Sequence, residues 1–222
     1  MEWMIILPAI ILLSIIDYVY IKRKNVIVDK RISNIRGILP SGWKQWVCFV
    51  CIPISLAGIA WMVSVFYQMP VIHVLKRVCV VAVLWPIAIS DFQEYRIPNK
   101  LVLLGFALRV LLLVAELFAC TDSVGSVVVN DLVAVAGSTG VCIVCMLLSR
   151  GSLGMGDLKL VMFMSALLGV EGIIASMFVS IFFSAVVAVG LLLFRRKSRK
   201  DAIPFAPFVL AGTIVSLILT GV

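Results

Sequence analysis

Charged residues are scarce in this chain of 222 residues. They make up 14% of the sequence, while 63% of the residues are hydrophobic and the mean hydropathy is +1.20. A soluble domain of this length needs a much larger polar surface. The sequence also lacks internal repeats, low-complexity linkers and any basic residue ahead of its first apolar run, 3–21. We therefore predict one all-α polytopic membrane domain, 1–222, whose first run is a retained span and not a cleaved signal.

The apolar runs predict about eight membrane-spanning helices, two of them short. A span needs about 20 residues to cross the hydrocarbon. The stretch 158–194 is therefore too long for one span, and we expect it to turn near Gly169 and Gly172. The predicted spans are 3–21, 46–66, 73–90, 101–119, 127–148, 158–170, 172–194 and 204–220.

The distribution of basic residues orients these spans. Eight spans put both termini outside and leave sixteen of the nineteen Lys and Arg residues inside, as the positive-inside rule requires. The longest inside segment is a basic cytoplasmic loop, 22–45, with room for a short interfacial helix. The net charge of +8 thus indicates anionic membrane lipids as partners and no nucleic acid. Lys76 and Arg77 are expected to snorkel from an outer boundary, whereas Arg109 falls mid-span and needs Glu116 or an acid on another helix.

Two aspartates fall at the inside boundary of the predicted bundle. Asp91 ends the third span, and Asp157 opens the sixth. Asp157 can serve as a helix N-cap, but no capping role explains Asp91 at a helix C-terminus, where the dipole disfavours an anion. If the carboxylates approach, they share a proton, and the pair can hydrolyse an amide without a metal. Gly154 and Gly156 are expected to leave room for an extended peptide beside them.

Three motifs carry a resemblance to a known family. The segments "DFQEYRIPNK" at 91–100, "GMGDLKL" at 154–160 and "IPFAPFVLAG" at 203–212 resemble, in this order, motifs of GxGD aspartic proteases of the type IV prepilin peptidase and preflagellin peptidase family. The resemblance implies that Asp91 and Asp157 are the catalytic pair of a multi-pass endopeptidase in a prokaryotic cytoplasmic membrane. It also implies that the substrates are pilin-like precursors, cut at the cytoplasmic face between a short basic leader and a hydrophobic stem.

The motifs also supply residues that we expect to bind substrate or to shape the site. These are Gly154, Gly156, Lys159, Glu94, Arg96, Pro98, Asn99, Pro204 and Pro207. The chain departs from the larger bacterial members of the family, because segment 22–45 has no cysteine and is too short for their insert with two CxxC pairs. It is similar to compact members such as archaeal preflagellin peptidases and the small peptidases of Tad-type pilus systems. N-methyltransferase activity is therefore not expected, and Ala206 replaces the family's usual glycine.

The remaining polar residues receive simpler interpretations. Cys48/Cys51 and Cys142/Cys145 form two CxxC pairs inside apolar spans, where zinc-binding thiolates are costly, so we expect packing residues and neither a metal nor a cofactor. Asp17 is expected to be an interfacial anchor. Two other functions stay open. One is a presenilin-like protease that cuts within membrane spans, and the other is a non-enzymatic transporter that uses the acids for protons or ions.

Overall fold

The computed structural model describes residues 3–32, 41–119, 124–148, 154–193 and 204–221. The elements in these ranges are helices, and none of the described residues lies in a β-strand. The helices are α1 Trp3–Ile32, α2 Ser41–Trp61, α3 Val71–Glu94, α4 Asn99–Ala119, α5 Val124–Leu148, α6 Met155–Leu193 and α7 Ala206–Thr220, with a π-helical turn, Met62–Phe66, after α2. Five of them, α1, α3, α4, α5 and α6, contain stretches long and apolar enough to cross a membrane. The all-α class is confirmed, and these helices have the composition of a polytopic membrane protein.

Helix α6 is interrupted at Gly169, where φ is +72° and ψ is −172°. This backbone conformation is essentially restricted to glycine. The interruption divides α6 into two halves, named here α6a (155–168) and α6b (170–193). A straight helix of 39 residues would be about 58 Å long, almost twice the hydrocarbon thickness. The break lies where the chain was expected to turn, while the number of membrane crossings and the side of each terminus stay predictions.

The structure differs from the basic loop expected at 22–45. Helix α1 continues to Ile32, and α2 begins at Ser41. The prediction ended the helix where its apolar run ends. A helix can continue past that point because its backbone hydrogen bonds are internal and do not depend on apolar side chains. Segment 33–40 and the second basic cluster, 195–200, lie outside the described residues.

Helix α3 forms the centre of the bundle. It contacts α1, α2, α4, α6 and α7. In its apolar stretch 72% of the residues are buried, compared with 11% for α5. The run from Val78 to Leu84 is buried without a gap, which is expected of a helix that has neighbours on every side. Helix α5 instead exposes apolar side chains such as Val129 and Leu132, as a lipid-facing helix does.

The bundle has two ends that hold different polar groups. The end of α3 with Asp91 lies with the starts of α6 and α7, and we name this the aspartate end. At the opposite end the Tyr67 hydroxyl donates to the carbonyl oxygen of Ile218 (3.0 Å). Arg77 Nε donates to the carbonyl oxygen of Gly221 (3.1 Å) there. The last turn of α7 is thereby tied to the start of α3.

Candidate active site

Asp91 lies in the last turn of α3 and is 6% exposed. The helix ends because Tyr95 adopts the left-handed conformation (φ 53°, ψ 35°), and the Tyr95 N–H donates to the Asp91 carbonyl oxygen (2.8 Å). The Ser90 hydroxyl donates to the Arg96 carbonyl oxygen (3.2 Å). These two bonds fix the turn that follows the aspartate, so the backbone of Asp91 has a defined position.

The Asp91 carboxylate is held by the start of another helix. Its Oδ2 accepts a hydrogen bond from the Ala206 N–H (2.9 Å), at the first position of α7. The first N–H groups of a helix lack partners within the helix, and the dipole there favours an anion. Pro204 and Pro207, which have no N–H, stand on either side of this donor. The expectation that Asp91 has no capping role is therefore wrong, because the capped helix is distant in the sequence.

Asp157 lies in the first turn of α6a. Its N–H and that of Leu158 donate to the Gly154 carbonyl oxygen (3.1 and 3.4 Å), while its Oδ2 accepts from the Gly154 N–H (3.3 Å). Gly154 thus occupies the cap position, and Asp157 is the third helical residue, bonding back to the cap as in one half of a capping box. The simpler interpretation of Asp157 as the N-cap residue itself therefore does not hold, because Gly154, three residues earlier, occupies that position.

Asp91 and Asp157 lie near enough to interact electrostatically. Each carboxylate has its Oδ2 bonded to a backbone N–H. Within the described part of the chain, neither one forms an ion pair. Sharing of one proton between them, which the sequence led us to expect, stays a prediction. Such a pair can accept one proton and donate another, which is the requirement for acid–base hydrolysis.

The turn between α3 and α4 packs against the start of α6a. A Cβ at Gly156 would lie 3.2 Å from the Ile97 Cβ, so glycine permits this close approach. Gly156 was expected to leave room for substrate, but the structure fills that room with Ile97. Pro98 begins α4, because its carbonyl oxygen accepts bonds from the Leu101 and Val102 N–H groups (3.0 and 3.4 Å).

The other predicted site residues also collect at the aspartate end. The Lys159 ammonium donates to the Asn99 side-chain oxygen (3.1 Å), which joins two of the motifs. Glu94 and Arg96 are exposed beside the turn after α3, and Gly154 is exposed ahead of α6a. The structure thus brings residues of all three motifs together, while their contact with a substrate stays a prediction.

A second polar group, which the motifs did not reveal, lies between α3, α4 and α5. It consists of Lys76, Arg109, Glu116 and Asp131, each at most 8% exposed, and is named here the buried tetrad. Lys76 Nζ lies 2.6 Å from Glu116 Oε1 and 4.0 Å from Asp131 Oδ2. Arg109 donates from Nη1 to Glu116 Oε2 (3.1 Å) and from Nη2 to Asp131 Oδ2.

The tetrad corrects the expectation for the basic residues within the spans. Lys76 and Arg77 do not snorkel, since both are buried, and Arg77 donates to backbone carbonyl oxygens. Arg109 has both kinds of partner that were considered, Glu116 on its own helix and Asp131 on another. The sequence did contain a signal for the tetrad. Its two basic and two acidic residues all fall within predicted spans, and their charges sum to zero.

Asp17 and the cysteines complete the polar groups of the spans. Asp17 is 6% exposed, and among the described residues its Oδ2 has no hydrogen-bond partner, so its side chain is buried and not an exposed anchor as expected. Cys142 lies near Asp157, and Cys145 and Cys51 are exposed free thiols. The side chain of Cys48 lies outside the described residues. Where the chain is described, no three His, Cys, Asp or Glu side chains are grouped as a metal site.

The structure is an apolar helical bundle, consistent with a polytopic membrane protein, that brings Asp91 and Asp157 to one end. The type IV leader peptidase family matches residues 78–189, half of the chain, and this range contains both Asp91 and Asp157. The chain therefore belongs to the type IV leader peptidase family. This membership confirms the resemblance carried by the three motifs.

A curated relative is the prepilin leader peptidase/N-methyltransferase of Bacillus subtilis (strain 168). It is 26% identical to this chain over 145 residues, which are 65% of this chain and 56% of the relative. The match therefore spans little more than half of the relative's length. No solved structure matches the chain.

Proposed function

We propose that this protein is a membrane aspartic endopeptidase that removes the basic leader from type IV prepilin-like precursors. The observation that carries the proposal is the pair Asp91 and Asp157, two like charges at one end of the bundle, each held by a backbone N–H. Membership of a leader peptidase family supports this class of substrate, as does the name of the B. subtilis relative. Methyl transfer is not part of the proposal, because the chain has no stretch that resembles a methyl-donor site.

The pair would act on a water molecule between the two carboxyl groups. The ionised carboxylate accepts a proton from water while the water oxygen bonds to the scissile carbonyl carbon, and the protonated partner donates its proton to the carbonyl oxygen. The C–N bond of the resulting gem-diol then breaks. The carboxyl group that donated in the first step, now ionised, takes a proton from one hydroxyl of the gem-diol. The other carboxyl group, now protonated, gives its proton to the leaving nitrogen. One carboxyl group is again protonated and one ionised, so the cycle closes without a metal.

The backbone contacts would orient this chemistry. The Ala206 N–H and the Gly154 N–H each donate to an Oδ2 atom, which leaves the Oδ1 atoms with their full capacity to bind water and substrate. A carboxylate that is fixed in advance loses less freedom when the substrate arrives. The opening segment of α7 and the cap of α6a therefore belong to the proposed site.

The acidic side chain at the aspartate end suits a basic leader, and the position of this end at a membrane boundary suits a membrane-bound stem. Glu94 is exposed there and can attract lysine or arginine of the leader. We assign this end to the cytoplasmic face, because the positive-inside rule puts the basic segments 22–45 and 195–200 on the same predicted side as Asp91 and Asp157. Anionic lipids would hold those stretches, and the scissile bond would lie at the boundary just before the apolar stem.

The proposal is tested by cleavage of a synthetic precursor in liposomes. A peptide with a basic leader and an apolar stem is mixed with the reconstituted chain, and mass spectrometry locates the cut. We expect one cut between leader and stem, with an unmethylated amine on the new terminus. A cut within the stem would favour the presenilin-like alternative. Ion or proton flux without any cleavage would sink the proposal in favour of a transporter.

A further inference from the structure

The break in α6 lies at the end of α6a, where α5 also approaches. Ala166 lies in the last turn of α6a, just before Gly169. The last four carbonyl groups of a helix have no partners within it, and hydrocarbon offers no water to replace them. Arg109 Nε donates a 2.8 Å hydrogen bond to the Ala166 carbonyl oxygen. A cation at this position also has the sign that the helix dipole favours.

The rest of the guanidinium is fixed by the tetrad. Nη1 bonds to Glu116 and Nη2 to Asp131, so all three nitrogens of a planar, rigid group have partners on α4, α5 and α6a. Helix α5 approaches the break itself, because a Cβ at Gly169 would lie 2.5 Å from Asn130 Nδ2. Arg109 is 5% exposed, so its partners are these groups and not water.

We infer that Arg109 is a positioning residue for Asp157. The inference rests on the proposed function, in which Asp157 is catalytic. A short helix is stiff, so fixing the end of α6a at Ala166 also fixes the depth and rotation of its first turn. That turn carries Asp157 and packs Gly156 against Ile97, beside the loop that follows Asp91. Misplacing a catalytic group by about 1 Å can lower a rate about 100-fold.

Arg109→Lys is the critical variant. Lysine keeps the positive charge but has neither the Nε–H nor the planar fork, so it cannot bind both acids and cap Ala166 together. We expect kcat for leader cleavage to fall about 10- to 100-fold, with KM changed by less than about twofold. The matched control is Lys76→Arg, which keeps the charge of a tetrad residue whose ion pairs, in the described part of the chain, are to Glu116 and Asp131 and not to α6a. Its kcat is expected to stay within about twofold of the parent value.

A second readout reports the position of the first turn of α6a and does not depend on enzymatic activity. Ile97→Cys and Gly156→Cys together place two Cβ atoms 3.2 Å apart, slightly below the range of about 3.5–4.5 Å found in disulfides. Mass spectrometry of oxidised membranes then quantifies the disulfide between the introduced thiols. We expect Arg109→Lys to slow its formation at least about threefold, and Lys76→Arg to leave it unchanged.

Crosslinking needs no substrate, so this test holds even if the proposed peptidase activity fails. A parent-like crosslinking rate in Arg109→Lys would overturn the positioning role, whatever its kcat. If Arg109→Lys does not accumulate as folded protein, Asp131→Asn takes its place, because it has nearly the same shape and removes the negative charge that holds one side of the guanidinium. Slower crosslinking is again expected, and a parent-like rate in Asp131→Asn would equally overturn the inference.

Discussion

The aspartate end and the buried tetrad show two ways of placing charge in an apolar bundle. In the tetrad two cations meet two anions, with every pair at 4.0 Å or less. At the aspartate end two carboxylates interact, and their contacts within the described residues are backbone N–H groups. Charges that are mutually neutralised can remain ionised and hold helices together. Two carboxylates that approach each other are instead suited to exchange a proton, which is the role proposed for Asp91 and Asp157.

The two regions also share helices. Helix α3 carries both Lys76 and Asp91, and α6a carries Asp157 at its start and the Ala166 carbonyl, capped by Arg109, at its end. The tetrad therefore lies where it can support the aspartate end without taking part in its chemistry. Substitutions of the aspartates should lower activity without lowering stability, whereas removal of a tetrad charge should lower stability, and the predictions below test that difference.

The largest effect is expected from the aspartates. Asp91→Asn or Asp157→Asn removes one of the two groups that exchange protons, which should lower the rate of leader cleavage about 10²- to 10⁴-fold. The free energy of unfolding should stay the same or rise, because repulsion between like charges is relieved. Glu171→Gln, an exposed carboxylate on α6b, is the matched control and should leave cleavage unchanged. A large loss of stability in the Asp variants would make these residues structural, like the tetrad.

The largest loss of stability is expected from the tetrad. Arg109→Met leaves two buried carboxylates with one cation, which should lower the free energy of unfolding by about 3–5 kcal/mol. Denaturation of the purified protein in micelles measures this change. Adding Asp131→Asn should recover part of the loss, since it removes the uncompensated acid. A stable Arg109→Met protein would mean that the tetrad does not hold the helices together.

A smaller loss of stability is expected at the break in α6. Gly169→Ala forces a side chain into the positive-φ conformation, with its Cβ 2.5 Å from Asn130 Nδ2, and should cost about 1–3 kcal/mol. Gly190→Ala on α6b is the control, because among the described residues no atom outside its own stretch of helix lies within 4 Å of an added Cβ there. That control should be neutral or stabilise the helix by up to about 1 kcal/mol. Equal effects at both glycines would contradict the account of the break.

The smallest effect is expected from Lys159. Its hydrogen bond to Asn99 is exposed, and exposed polar contacts contribute little. Lys159→Gln should therefore change the free energy of unfolding by about 0.5 kcal/mol or less, with cleavage within about fivefold of the parent. A cleavage assay on folded protein checks this. A loss as large as that of the aspartates would place Lys159 in the chemistry.

Much of the fold and of the candidate site could be predicted from the sequence. Apolar length located the helices, and the charge bias required the chain to turn where Gly169 breaks α6. Asp91 and Asp157 could be identified because a carboxylate at the edge of the hydrocarbon is energetically costly and indicates a specific role. Their motifs also led to the family that the comparison confirmed.

The tetrad and the backbone contacts could not be predicted in the same way. Hydropathy shows that Lys76 lies near a span boundary, but packing decides whether its side chain turns inward. The hydrogen bond from Ala206 to Asp91 joins residues far apart in the chain, so a search for local caps overlooked it. The close fit of Gly156 against Ile97 likewise exists only once α3, α4 and α6a are assembled.

The central claim is that Asp91 and Asp157 act as one unit on one water molecule. A double-mutant cycle tests it most directly, by measuring leader cleavage per folded molecule for Asp91→Asn, Asp157→Asn and the combined variant. Residues that act as a unit are strongly non-additive, so we predict that the combined variant is no slower than the slower single variant. Effects that multiply, or full activity in either single variant, would contradict the account.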